Sequence, residues 1–376
     1  MVTGKYRSTD ASLPWDQRVD LDIFHDEKEQ DSTKQWKLRY NDRKYALAPI
    51  AELVLVLDGN KVTTGFSAAF PHWITRGMNG RVVLEKYFDG MTSSTQHIIS
   101  SCTKSITAVL AGIAIDQGLF GLDDDIASYF PDINTTWSQA PPVLVRHVLS
   151  MTAGTEHTVK DAQDLLESTD VEQLVLGWNQ ATPAGERYNY DNGLPSLIGC
   201  LIERTGGIPL VDFANKHLFA PVGITNESWT TMPTPKGRPY VSNSPVLAAG
   251  GMSLTLPDFL TIGQMLLHNG VYNGHRVVSE AYLAEATRQQ TPNGDYPYGF
   301  YFHANQTTKA DGTKEWIHLD GIDGYFMLGQ GEQVLFISPE EQIIVAAFSS
   351  TWHRDRDAKP DRFAVIDCIK AALACI

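Results

Sequence analysis

The apolar positions of the chain change their period twice along its length. Residues 36–48 and 51–57, the latter Ala-Glu-Leu-Val-Leu-Val-Leu, are apolar runs too short for periodicity to separate strand from helix. Trp73–Arg76 and Arg81–Phe88 flank Gly77-Met78-Asn79-Gly80 and predict a β-hairpin turning at Asn79-Gly80. After Ser101 the period becomes helical. Ile106, Val109, Leu110, Ile113 and Ala114 share one helix face, and Gly118 supplies a C-terminal stop. Further helices are predicted at Val143–Met151, closed by Thr152-Ala153-Gly154, over the amphipathic residues 160–180, at Leu194–Thr205 before Gly206-Gly207, and at Leu256–His268. Residues 208–235 read as helix and loop, and Leu247–Ser253 as a tight small-residue turn. Beyond Tyr298 strands return: Tyr298–His303, Gly324–Gln330, Gln333–Ile337 and Ile343–Ser349 predict a β-meander. Asp361–Ala374 predicts a terminal amphipathic helix.

Strands near both ends with helices between them predict an α/β (α+β) chain. Its antiparallel sheet would be flanked by terminal helices and built from residues 71–100 and 270–376. A mainly helical lobe at 101–269 would be inserted, with an active site between the lobes. Residues 1–70 carry Pro14 and an acidic cluster between Asp20 and Asp31, and read as an N-terminal arm of uncertain structure. A length of 376 residues is long for one core and agrees with two lobes.

Composition narrows the function. Hydrophobic residues at 43% and charged residues at 20% belong to a globular protein. The net charge of −14 argues against nucleic acid and anionic membranes, which demand a basic face. No apolar run approaches membrane-spanning length, and no apolar stretch follows the charges of the first residues. Cys102, Cys200, Cys368 and Cys375 lack metal-ligand spacing and read as free thiols. Together these features predict a cytoplasmic protein; a monomer or homodimer is expected, and no residue pattern selects between them.

The candidate chemistry starts at Ser101-Cys102-Thr103-Lys104. Ser101 stands at the N-terminus of the predicted helix, and Lys104 lies on the same face of its first turn. A serine hydroxyl needs a neighbour to take its proton, and a lysine packed beside it can do so. The helix N-terminus adds N–H groups where an oxyanion would develop. Tyr190-Asp191-Asn192 sits in a loop before the next helix, where side chains can project into a cleft. A buried tyrosine close to a lysine is a second candidate base. The acidic run Asp123-Asp124-Asp125 reads as a cap and turn rather than a metal site, and His147 as a packed or capping histidine.

Ser101-Cys102-Thr103-Lys104 followed by Tyr190-Asp191-Asn192 resembles the serine β-lactamase and penicillin-binding-protein superfamily, in its class C and esterase branch. Segments in the order usual for that family extend the resemblance over residues 70–355: Asn79–Gly90, Gly118–Ile126, Val145–Gly154, Leu197–Gly206 and Ala249–Ser253. The resemblance implies a β-lactamase-like fold and a Ser101 acyl-enzyme, with Lys104 and Tyr190 sharing the serine proton. Lys-Thr-Gly, usual on a core strand of the family, is missing. Leu328-Gly329-Gln330-Gly331-Glu332-Gln333 resembles instead the Gly-x-Gly-Gly-Gln pattern of the branch that includes 6-aminohexanoate-dimer hydrolase. It implies an oxyanion hole formed by the backbone N–H groups of Ser101 and Gln330. His318-Leu319-Asp320-Gly321 is the alternative source, through Gly321, and His318 a loop residue near the cleft. Asn192 would orient Lys104 and touch the substrate, supported by Asp191. The implied substrate is a short linear amide or ester, with no metal or organic cofactor. The competing readings are a non-turnover acylated sensor and a β-lactamase or D-amino-acid peptidase.

Overall fold

The computed structural model describes residues 91–135, 137, 141–156, 165, 168, 170–229, 247–292, 295–304, 323–331 and 333–348 with Tyr87, and the backbone of the strands at 4–7, 20–25, 36–40, 43–47, 50–58 and 80–86 and of Ser349. Four strands, β1 (Gly4–Arg7), β2 (Asp20–His25), β3 (Trp36–Tyr40) and β4 (Arg43–Leu47), form an antiparallel meander inside the segment read as an arm. Next come β5 (Ile50–Asp58) and β6 (Gly80–Tyr87). The short strands β7 (His97–Ile98), β8 (Ser228–Trp229), β9 (Met252–Leu254), β10 (Val271–Tyr272) and β11 (His275–Arg276) stand apart from the main sheet. Much later in the chain, β12 (His303–Ala304), β13 (Tyr325–Gly329), β14 (Gln333–Ser338) and β15 (Ile343–Ser349) join β5 and β6 in one six-stranded antiparallel sheet, in the order β12-β13-β14-β15-β5-β6. The two apolar runs that periodicity left open are therefore strands. The strand predicted at Arg81–Phe88 pairs with β5; its predicted hairpin partner Trp73–Arg76 lies outside the described residues, as does the terminal helix Asp361–Ala374.

One predicted strand is corrected. Tyr298–His303 is a tight turn in which the Gly299 N–H donates to the Phe302 carbonyl at 2.8 Å, Tyr301 adopts φ 58°, and only His303–Ala304 joins the sheet. Phe300, Tyr301 and Phe302 are all buried. A run buried on every side has no period, and its aromatic content mimics a strand.

Helix α1 (Cys102–Asp116) is the centre of the molecule, with every side chain from Cys102 to Ala114 buried. Its small and aliphatic residues let neighbours approach on all sides. Gly112 faces the Tyr282 ring, and the Tyr282 hydroxyl donates to the Ala108 carbonyl at 2.7 Å. Gly118, at φ 73°, turns the chain away after the helix. Helices at Val145–Leu149, Val171–Leu176, Gly193–Gly206 and Leu210–Ala214 follow. The last continues through a π turn, Asn215–Phe219, to Val222. Leu256–Leu267 packs on the sheet, with Phe259 stacked on Phe348 at 5.3 Å and Gly263 against Ile344 and Leu335. A helix at Glu280–Thr287, capped by the Ser279 hydroxyl, had no counterpart in the sequence pattern.

Candidate active site

Ser101 leads into α1 with helical dihedrals, φ −64° and ψ −9°. The preceding Ser100 is held at φ 48° and is 6% exposed. A side chain in the left-handed region costs of order 1–3 kcal/mol and persists only where the surroundings enforce it. Here they do. The Ser100 carbonyl accepts from the Thr103 N–H (3.0 Å) and hydroxyl (2.7 Å), and the Ile99 N–H donates to the Met252 carbonyl at 2.9 Å. The N–H groups of Cys102, Thr103 and Lys104 are spent on Ile99, Ser100 and Ser101 carbonyls. The Ser101 N–H makes no such bond among the described residues.

Lys104 is 1% exposed. Its Nζ donates to Ser101 Oγ at 3.0 Å and to the Ala249 carbonyl at 2.7 Å. Ala249 belongs to the small-residue turn predicted at Leu247–Ser253. Thr107 donates to the neighbouring Ala248 carbonyl at 2.9 Å, so the turn is fastened along one face of α1. The same Nζ lies 4.9 Å from the centroid of the Tyr190 ring, over its face. Tyr190 is 38% exposed, so the expectation of a buried tyrosine is corrected: it stands at the mouth of the site on the loop before Gly193–Gly206. Asp191 is buried and fixes that loop, its Oδ1 accepting from the Gly193 and Leu194 N–H groups. Asn192, partly buried, is the last residue before the helix and makes no capping bond with its side chain.

Gln330 follows β13, which reaches this site from the sheet. Gly329 packs so closely on the Ile99 carbonyl that a Cβ could not fit. The Cys102 thiol approaches the Gln333 carbonyl at 3.5 Å. The wholly buried Gln333 side chain donates to the Gly331 carbonyl at 3.0 Å and holds the turn, where Gly331 adopts φ 83°. The turn carrying Gln330 and the segment carrying Ser101 are thus brought together. His318 and Gly321 lie outside the described residues.

Four rings that the sequence reading passed over, Tyr188, Tyr296, Tyr298 and His303, border the site beside Tyr190. Tyr298 touches Tyr190 edge-on at 6.3 Å and His303 at 4.9 Å, and Tyr188 stacks on Tyr296 at 5.5 Å. The Tyr296 hydroxyl is 2.8 Å from His303 Nδ1. Desolvation among these rings and, secondarily, the Lys104 charge push the His303 pKa down to about 3, so the ring is neutral at working pH. The aromatic density of Tyr296-Pro297-Tyr298-Gly299-Phe300-Tyr301-Phe302-His303 was the available signal.

The remaining candidates are structural. His147 Nδ1 accepts from the Leu144 N–H at 3.1 Å and caps its own helix; burial lowers its pKa. Asp124 accepts from the Gly121 N–H and the Tyr129 hydroxyl, Asp125 caps the turn at Ile126–Tyr129, and Asp123 pairs with Arg146. Among the described residues no three His, Cys, Asp or Glu side chains gather as a metal site requires, and no helix is long and apolar enough to cross a membrane.

The profile of the β-lactamase family matches residues 77–367, about three-quarters of the chain, including the Ser101 helix, the Tyr190 loop and β13–β15. The chain belongs to the β-lactamase family. This serine hydrolase of the family is 24% identical over 306 residues to the 6-aminohexanoate-dimer hydrolase of Paenarthrobacter ureafaciens, a match covering 73% of this chain and 71% of that one. Its fold is similar to that of the octameric penicillin-binding protein homologue from Pyrococcus abyssi, with a TM-score of 0.61 at 18% identity over 86% of this chain and 74% of the other. It is also similar to EstCE1, a hydrolase with promiscuous acyltransferase activity, with a TM-score of 0.58 at 18% identity over 80% and 88% of the two chains. The β-lactamase-like fold expected from the motifs is the fold observed.

Proposed function

We propose that this protein is an amidase or carboxylesterase that cleaves short linear amides or esters through a Ser101 acyl-enzyme. The observation that carries the reading is the buried Lys104 Nζ, 3.0 Å from Ser101 Oγ and anchored by the Ala249 carbonyl. That geometry suits removal of the hydroxyl proton as Oγ attacks a carbonyl carbon. Lys104 and Tyr190 share the handling of the serine proton, the Nζ lying 4.9 Å from the Tyr190 ring centroid. The Ser101 and Gln330 N–H groups hold the oxyanion, each donor contributing about 2.7–4 kcal/mol. Tyr190, open to the cleft, then protonates the leaving amine or alkoxide. Water activated by the same pair removes the acyl group. Asn192, two residues on from Tyr190, contacts the substrate, and Asp191 positions that loop.

The match to 6-aminohexanoate-dimer hydrolase over most of both chains supports an amide substrate. The missing Lys-Thr-Gly weighs against β-lactams. The test is steady-state turnover of three panels: p-nitrophenyl short-chain esters, aminohexanoate oligomers, and nitrocefin. Turnover of the first two well above that of nitrocefin is expected. Efficient nitrocefin hydrolysis with inert amides and esters would overturn the reading in favour of a β-lactamase.

A further inference from the structure

His303 is the one histidine that borders the Ser101 site among the described residues, and nothing in the chemistry above uses it. It sits on the edge strand β12, where His303 pairs with Phe326 of β13. Gly329, at the other end of β13, packs against the Ile99 carbonyl just before Ser101. Three residues of strand separate these levels, roughly 10 Å at 3.3 Å per residue. His303 is therefore too far along the sheet to meet the reacting carbonyl. It lies on the Tyr190 side of the site, joined to Tyr190 through the Tyr298 ring. Tyr190 is the group assigned to the departing half of the substrate, so His303 is placed to meet the far end of that half.

The ring is held on two sides and by one hydrogen bond. Tyr296 and Tyr298 both meet it edge-to-face, at 5.5 Å and 4.9 Å with interplanar angles of 89° and 87°. The Tyr296 hydroxyl is 2.8 Å from Nδ1. A phenol is the better donor and an imidazole nitrogen the better acceptor, so Tyr296 donates and the neutral ring keeps its own proton on Nε2. No hydrogen-bond partner for Nε2 occurs among the described residues, although the ring is only partly buried. The charged group felt by this ring is Lys104, which would oppose any second positive charge there.

We propose that the Nε2–H of His303, aimed by the Tyr296 hydroxyl, is a substrate-binding donor of the Ser101 site that selects leaving groups carrying an uncharged oxygen acceptor. The inference rests on the acyl-enzyme reading and adds the class of leaving group to it. A neutral N–H suits an amide or ester oxygen. It lacks the charge by which an ammonium or guanidinium would favour a carboxylate.

The test uses three aryl butyrates that share one acyl group: 4-carbamoylphenyl, 4-carboxyphenyl and 4-methylphenyl butyrate. Comparing kcat/KM of variant and wild type for each ester cancels the intrinsic reactivity of the phenols. His303→Ala is expected to lower the preference for the carbamoyl over the methyl ester about tenfold, the usual worth of one neutral hydrogen bond at a site. With hydrolysis of the shared butyryl-enzyme limiting turnover, kcat is common to the three esters and the change falls in KM. His303→Gln places an N–H donor near the Nε2 position and should restore the preference to within about threefold of wild type. Tyr296→Phe, which keeps the ring but frees the imidazole, should lower the same preference by about threefold. Imidazole nitrogen shifts in 15N NMR should show protonated Nε2 and bare Nδ1 in the wild-type protein.

An equal fall for all three esters, in His303→Ala or in Tyr296→Phe, would mean a structural role and overturn the proposal. So would unaltered preferences, or a protonated Nδ1. Those results leave the hydrolase reading standing as long as wild type forms a butyryl adduct. Absence of any adduct in wild type would sink both.

Discussion

Gly329→Ala is the substitution for which the structure gives the most detailed expectation. The Gly329 φ lies outside the left-handed region, so alanine meets no dihedral penalty and the effect is steric. Its methyl group would sit 2.9 Å from Gln333 Cβ and well inside contact distance of the Ile99 carbonyl. An ordinary C···O approach is about 3.3 Å or more. Restoring it requires the end of β13 and the Ile99–Ser101 segment to separate by roughly 1 Å, a misplacement of the size that costs about a hundredfold in rate. The two N–H groups proposed for the oxyanion hole lie on opposite sides of that contact. Widening it removes most of one donor, about 2.7 kcal/mol or a hundredfold in kcat. KM should change little, because the donor acts on charge that develops in the transition state. Crowding also costs about 1–3 kcal/mol of stability, too little to unfold a domain of ordinary stability. The assay is acylation of Ser101 by p-nitrophenyl butyrate in stopped flow, beside near-ultraviolet circular dichroism to confirm folding. A folded variant that acylates within threefold of wild type would refute the placement of Gln330 in the oxyanion hole.

Glu172→Gln should destabilise the protein by about 2–4 kcal/mol. Glu172 is 1% exposed and bonded to Arg204, whose guanidinium also lies 4.8 Å from the Phe130 ring centroid. Asp132, another partner of Arg204, keeps 40% of its side chain exposed, so Asp132→Asn should cost less than about 1 kcal/mol in the same urea titration. The reverse ranking would contradict the burial argument. For pH, His303 and His147 both have folded pKa values below that of an unfolded histidine. The unfolded state then binds more protons below pH ~6.5, and stability should fall as pH drops from there toward the folded values, by up to about 1.4 kcal/mol per unit for each group. A thermal midpoint that rises between pH 6.5 and 5 would contradict this.

The parts of the site that were legible in the sequence are local. Ser101 and Lys104 are three residues apart on one helix turn, so spacing alone put them together. Helices with defined ends, such as Gly193–Gly206 and Leu256–Leu267, followed their stops and apolar faces to within a residue or two. The Ala249 carbonyl that anchors Lys104 was invisible because any residue supplies a carbonyl; only the fold of the turn aims it. The Tyr296–His303 pair was missed for a related reason. Its aromatic run read as a strand, yet Tyr301 takes φ 58° and reverses the chain so that His303 returns against Tyr298. The Glu280–Thr287 helix escaped because only Tyr282, Leu283 and Ala286 are buried in it, too few to set a period.

Intact-protein mass spectrometry during turnover of p-nitrophenyl butyrate, wild type beside Ser101→Ala, addresses the central claim most directly. The expected result is a butyryl adduct on wild type that rises and decays while p-nitrophenol continues to appear, with both adduct and release absent from Ser101→Ala. A permanent adduct would replace turnover with the acylated-sensor reading. Equal product release by both proteins with no adduct on either, repeated on the amide panel, would contradict the Ser101 acyl-enzyme outright.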